Sequence, residues 1–156
     1  MALKRNIAVP LLDIPASYKE ILADVEKNIE EVIHSGQFIL GPIVEELERQ
    51  IATYCETKFA VGVSSGTDAL LISLMASGIG MGDEVITPPL TFATTVACLV
   101  KNGLIPSFVD VKKDTYCIDE GLIEDAISSK TKAILAPDLL GNLCDWKEIR
   151  RIADKN

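Results

Sequence analysis

The chain has 156 residues, with 15 basic side chains against 23 acidic ones, a net charge of −8 and a single histidine, His34. Apolar residues are 48% and charged ones 24%, so a single domain burying roughly 69% of its unfolded surface is expected, which excludes disordered, collagen-like and disulfide-stapled classes. The acidic balance argues against nucleic acid and anionic membrane surfaces as partners, because both demand a basic face.

Residues 1–16, with Pro10 and Pro15, read as an extended lead-in. Lys4 and Arg5 precede an apolar run that Pro10 and Asp13 interrupt, so no signal peptide is expected. Longer apolar stretches break well before the ~20 residues of a membrane span. Ser17 and Glu20 fit a capping box, and Ile21, Leu22, Val25, Ile29, Val32 and Ile33 follow at helical spacing as far as Ser35-Gly36. Gly41-Pro42 opens a second helix, striped by Val44, Leu47, Ile51 and Tyr54, with Glu45, Glu46 and Glu48 near its positive end.

From residue 59 the pattern alternates between strands and helices. Phe59–Val63 reads as a strand, Ser64–Thr67 as a turn, and Asp68–Ser77 as a helix closed by Gly78. Glu84–Thr87 is the next strand, which Pro88-Pro89 prevents from continuing. Phe92–Asn102 reads as helix, Ile105–Val109 as strand, Gly121–Ser128 as a short helix, Lys132–Ala136 as strand and Trp146–Asp154 as helix. This order predicts an α/β fold with a mostly parallel sheet covered on both faces. Cys55, Cys98, Cys117 and Cys144 lie 43, 19 and 27 positions apart. No CxxC pair occurs, so no metal site is expected; reduced cysteines packed as small hydrophobes in a cytoplasmic protein are.

Two segments carry chemistry. Val63–Ala69 sits where a strand turns into a helix, whose free amides and partial positive charge suit a phosphate. Gly66 allows close backbone approach, and Ser65 or Thr67 can add a hydroxyl. The same residues are also the commonest helix cap and turn formers, so an ordinary N-cap is the favoured reading of this segment taken alone. The segment Thr87–Thr95 follows the next strand, and ligands of open α/β sheets bind outside the carboxyl ends of strands. There Phe92 either covers a flat ring or packs as a core aromatic.

Ser65–Leu70 (Ser-Gly-Thr-Asp-Ala-Leu), Gly82–Ile86 (Gly-Asp-Glu-Val-Ile), Thr91–Thr94 (Thr-Phe-Ala-Thr) and Thr131–Ile134 (Thr-Lys-Ala-Ile) occur in an ordered set. Gly36–Pro42 precedes them, and Phe108-Val109-Asp110 lies among them. Together they resemble the N-terminal part of the DegT/DnrJ/EryC1/StrS family, pyridoxal-phosphate-dependent sugar aminotransferases of aspartate-aminotransferase fold type I, from about Ile7 to Ala153. The resemblance implies a three-layer α/β large domain of that fold, truncated, with residues 1–57 as a helical lead-in and 58–156 as the domain's first part. It implies that Ser65, Gly66, Thr67 and Asp68 hold the phosphate of pyridoxal 5′-phosphate, and that Phe92 stacks on its ring. Gln37, Phe38 and Thr91 would lie on the substrate side of a site built in a homodimer. The substrates implied are a nucleotide-linked keto sugar and glutamate as amino donor.

The departures from the family pattern carry their own expectations. The lysine that forms the Schiff base and the carboxylate facing the pyridine nitrogen match no position within residues 1–156. Lys130 and Lys132 read as solvated charges before a strand. These 156 residues alone are therefore expected not to complete transamination. Asp138-Leu139-Leu140-Gly141-Asn142 stands where the family usually has His-Leu-Tyr-Gly, and a buried Asp138 would need a partner or a raised pKa. Two other readings stand beside the enzyme: a non-catalytic dimerisation or interaction module, and one half of a split or truncated gene.

Overall fold

The computed structural model describes residues 12–156. The expected extended lead-in lies, through Leu11, outside the described residues. The chain divides into two compact units, Met1–Gly62 and Val63–Asn156.

The first unit holds α1 (Ile14–Tyr18), α2 (Leu22–Ser35) and α3 (Pro42–Tyr54). Residues 14–18 are thus helical rather than extended, and the predicted start at Ser17 is displaced. Asp13 caps α1 by accepting the Ala16 N–H at 3.2 Å, with Pro15 in the first turn, where its missing N–H costs nothing. The Ser17 hydroxyl donates to the Asp13 carbonyl inside that helix, so it is spent before α2 begins at Leu22 without a side-chain cap. Gly36 ends α2 in the left-handed region at φ 67°, where the absence of a Cβ removes the usual cost. Gly41 precedes α3 for a different reason: a Cβ there would sit 2.7 Å from the Gln37 carbonyl oxygen.

The strand predicted over Phe59–Val63 does not form. Ladder partners hold a strand, and among the described residues this stretch has none. The Gly62 N–H donates instead to Glu48 Oε1 at 2.6 Å, and Val61 is left 77% exposed.

The second unit contains α4 (Gly66–Ala76), β1 (Glu84–Thr87), α5 (Ala93–Lys101), β2 (Ile105–Phe108), β3 (Thr131–Ile134) and α6 (Trp146–Lys155). The short helix expected over Gly121–Ser128 is instead two 3-10 turns, Glu120–Leu122 and Glu124–Ala126. The three strands form one parallel sheet in the order β2-β1-β3, with Val85 opposite Pro106 on one side and Ala133 on the other. Central β1 is buried from Val85 to Thr87, as expected of a strand covered on both faces.

Adjacent strand residues point to opposite faces, and β1 separates two cores in this way. Val85 packs with Leu74 of α4, Cys98 and Leu99 of α5 and Leu104. Ile86 packs with Val109, Cys117, Ile118, Ile123, Cys144 and, from α6, Ile149 and Ile152. The result is three layers, helix–sheet–helix. Each fully buried Ile contributes about 1.5–3 kcal/mol through the area it removes from water.

Candidate functional site

Parallel strands end on one edge, and the loops leaving that edge carry the predicted chemistry. β1 ends at Thr87, which is fully buried and donates its hydroxyl to the Leu135 carbonyl at 2.8 Å just past β3. The Val109 N–H, just past β2, donates to the Thr87 carbonyl at 3.2 Å. Thr87 therefore ties all three strand ends together. A buried hydroxyl without such a partner would cost about 1–3 kcal/mol.

Pro88 and Pro89 then end the strand, and Phe92 takes the N-cap position of α5 in an extended conformation. Its ring is 75% exposed, so the core-aromatic alternative is excluded. The hydroxyls of Thr91 and Thr95 lie 3.0 Å apart in a mutual hydrogen bond that pins the turn into α5.

Ser65 caps α4. Its hydroxyl oxygen accepts the Asp68 N–H at 3.1 Å and donates to Asp68 Oδ2 at 3.1 Å. The Ser64 hydroxyl donates to the same carboxylate oxygen. These two hydroxyls, Ser64 first, hold the Asp68 carboxyl below the usual carboxylate range. Gly66 and Thr67 are left as first-turn N–H donors, which have no intrahelical partner. A Cβ built on Gly66 meets nothing within 4 Å, so the backbone there faces open space. Among the described hydrogen bonds the Thr67 hydroxyl has no partner, while the Cys98 thiol donates to the Thr67 carbonyl at 3.7 Å. The start of α4 is thereby fastened to α5, the helix that Phe92 begins.

Open space at Gly66, free amides beside it and an exposed aromatic at the start of the neighbouring helix fit a phosphate-bearing planar ring. Asp68 departs from that donor set. A carboxylate repels a phosphate, and this one already takes the two serine hydroxyls, so its chemistry suits holding the turn.

Gln37 and Phe38 belong to the first unit. The Gln37 N–H donates to Ser35 Oγ at 3.2 Å, and Phe38, 69% exposed, lines a surface groove with Val32, Gly41 and Ile43. Lys130 and Lys132 are exposed at the amino end of β3, on the sheet edge opposite Thr87.

The loop after β3 holds a cluster that sequence reasoning described only as a need. Asp138 is exposed, not buried, and its carboxyl lies below the usual range. It accepts the Cys144 N–H at 2.8 Å and the Trp146 indole N–H. Spacing alone gave no sign of this cluster, which forms because the loop after β3 folds back to the start of α6. Leu140 within that loop adopts φ 55° and is 85% exposed.

The model of the DegT/DnrJ/EryC1/StrS aminotransferase family matches residues 19–156. The dTDP-3-amino-3,4,6-trideoxy-alpha-D-glucose transaminase of Streptomyces venezuelae is 40% identical over 148 residues, covering 95% of this chain and 39% of that protein. The crystal structure of S. venezuelae DesV superposes with a TM-score of 0.90 at 41% identity, over 94% of this chain and 40% of that one. That of NtdA from Bacillus subtilis, with its cofactor PMP bound, gives 0.88 at 38% identity, over 94% and 34%. The chain thus spans about 40% of the length of the curated relatives it matches, in keeping with a resemblance to their N-terminal part. The predicted fold class holds: over this span the architecture is that of the pyridoxal-phosphate aminotransferases.

Proposed function

Because the chain belongs to the DegT/DnrJ/EryC1/StrS aminotransferase family, we propose that its residues hold pyridoxal 5′-phosphate in an enzyme that aminates a nucleotide-linked keto sugar, with glutamate as donor. When bound, this cofactor supplies the electron sink that lets an amino group move between carbons.

The Gly66 and Thr67 amides and the Thr67 hydroxyl bind the phosphate at the positive end of α4, where anions are favoured. Ser65 shapes the turn as its cap, and Asp68 binds through its effect on the turn, holding Ser64 and Ser65 in place. Phe92 covers one face of the ring and shields it from water. Thr91 fixes the approach to that ring through Thr95. Gln37 and Phe38 serve the sugar side. The division into a helical lead-in over 1–57 and the first part of the cofactor domain over 58–156 belongs to the same reading, as do a homodimer and a cytoplasmic setting. Among the described residues no helix is long and apolar enough to cross a membrane.

The observation that carries this reading is the open backbone at Gly66 beside free first-turn amides, on a helix fastened to the one that presents Phe92. Residues 1–156 taken alone are proposed to bind the cofactor's phosphate without turnover, since Lys130 and Lys132 are exposed on the opposite sheet edge. Titrating the 156-residue chain with pyridoxal 5′-phosphate, then reducing with borohydride, tests this. Saturable binding without a lysine adduct is expected; an adduct on a lysine together with turnover contradicts it.

A second reading, association without catalysis, is favoured by exposed apolar side chains on α2 and α3, among them Ile33, Leu47 and Tyr54. Light scattering read beside a pyridoxal 5′-phosphate titration separates the two: association without cofactor binding supports the second reading, and saturable cofactor binding supports the first.

A further inference from the structure

Two of the four cysteines share one core. Cys117 and Cys144 are 2% and 5% exposed and belong to the cluster built on Ile86, Ile149 and Ile152. Both thiols come against the loop that follows β3, residues 137–144. Each is also held by a carbonyl of the same loop: Cys117 Sγ donates to Asn142 O at 3.3 Å, and Cys144 Sγ to Pro137 O at 3.3 Å. The segments that carry them are braced independently. The Asn142 amide donates to Thr115 O at 3.0 Å, and the Lys112 N–H donates to Cys117 O at 2.9 Å. Cys98 lies in the core on the other face of the sheet, against Thr67, and Cys55 is exposed in the first unit. The β1 layer thus separates Cys98 from the pair.

We propose that Cys117 and Cys144 form a modification site: a reversible disulfide, made by exchange with a low-molecular-weight disulfide, that staples the 112–117 turn to the loop following β3. The thiolate of one cysteine attacks a sulfur of the small disulfide, forming a mixed disulfide and expelling one small thiolate, which takes up a proton. The second cysteine sulfur then attacks the protein sulfur of that mixed disulfide, and its proton leaves with the second small thiol. The two cysteines lose two electrons and two protons, and the small disulfide is reduced to two thiols. No other co-reactant is required.

Burial sets the rate. Burial first, then the neighbouring Cys117 thiol and the Asp138 carboxylate, push the Cys144 thiol up, so thiolate is scarce in the closed state. The cover is thin, however: Leu140 and Leu143 in the loop above are 85% and 75% exposed and bury little when it closes. Exchange therefore proceeds through local opening of residues 137–144, not through global unfolding.

The test uses the full chain with Cys55→Ser, which removes the exposed thiol and with it intermolecular linkage. The protein is incubated with oxidised glutathione under native conditions, quenched in acid, denatured and alkylated, and its mass and peptide map are read. Expected is a species lighter by about 2 Da than the unoxidised chain before alkylation, the mass of the two hydrogens lost. Its Cys117 and Cys144 peptides are cross-linked, Cys98 is alkylated, and dithiothreitol restores the original mass. Adding Cys117→Ser abolishes the lighter species. Recovery of the Cys117 and Cys144 peptides separately, alkylated or each carrying glutathione, overturns the proposal, and so does linkage of either one to Cys98. The result from the Cys55→Ser chain stands even if the Cys117→Ser chain fails to fold.

Discussion

The indole N–H of Trp146 lies 3.1 and 3.2 Å from the two carboxylate oxygens of Asp138, at the first residue of α6. The Cys144 N–H donates to the same carboxylate at 2.8 Å and is the main cause of its depressed pKa. A carboxylate with a folded pKa below its unfolded value, about 3.9 for Asp, contributes stability that is fully present above that value. The contribution is lost as pH falls through the lower, folded value. Trp146 is the chain's single tryptophan, so its emission reports the bond directly. An acid titration is expected to show an emission change below the ordinary Asp range that is absent in Asp138→Asn. An identical titration in the variant would remove Asp138 from the cluster.

Thr87 joins the ends of all three strands through one buried hydroxyl and one carbonyl. Thr87→Val keeps the shape, removes the hydroxyl and leaves the Leu135 carbonyl without its donor. A loss of about 1–3 kcal/mol in urea unfolding is expected. A change within 0.5 kcal/mol would mean that another donor replaces it.

How far the sequence spoke for the structure is clearest where local chemistry and packing agree. Gly36, Pro42, the run Glu84–Thr87 and the helix expected over Trp146–Asp154 lie where the sequence pattern puts them. Phe59–Val63 is more apolar than β1 but has no ladder partner among the described residues, and pairing is a property of the sheet rather than of the stretch. Ser17 misled because Asp13, four residues earlier, captures its hydroxyl. At the candidate site, Gly66 and Phe92 were readable as residue types at the starts of two helices. Their open backbone and exposed ring were not, because both depend on how α4 and α5 pack.

Ser65 is the cap of α4, with its hydroxyl accepting the Asp68 N–H. Ser65→Ala is expected to cost about 1 kcal/mol, the usual worth of a serine cap. It should also weaken cofactor binding, because the turn loses its anchor on Asp68. Unchanged stability by urea unfolding would show that Ser64 alone keeps the turn.

Phe92 is exposed and packs into neither core cluster. Phe92→Ala should therefore leave the unfolding midpoint nearly unchanged, within the ±0.5 kcal/mol typical of surface positions. An aromatic stacked on a ring contributes about 0.5–1.5 kcal/mol, so pyridoxal 5′-phosphate should bind roughly 2- to 12-fold more weakly. A large loss of stability instead would assign Phe92 to packing.

The central claim is that the α4 start receives a phosphate through open backbone at Gly66, and Gly66→Ala isolates it. The new methyl meets no protein atom within 4 Å, and alanine in a helix is about 0.4–1 kcal/mol better than glycine where the conformation allows it. The most direct measurement is calorimetric titration of both chains with pyridoxal 5′-phosphate and with pyridoxal. The wild-type chain is expected to prefer the phosphorylated ligand, and Gly66→Ala to lose that preference by about tenfold or more, about 1.4 kcal/mol, with no fall in thermal stability. Equal affinity of the wild-type chain for the two ligands, or an undiminished preference in Gly66→Ala, would contradict it.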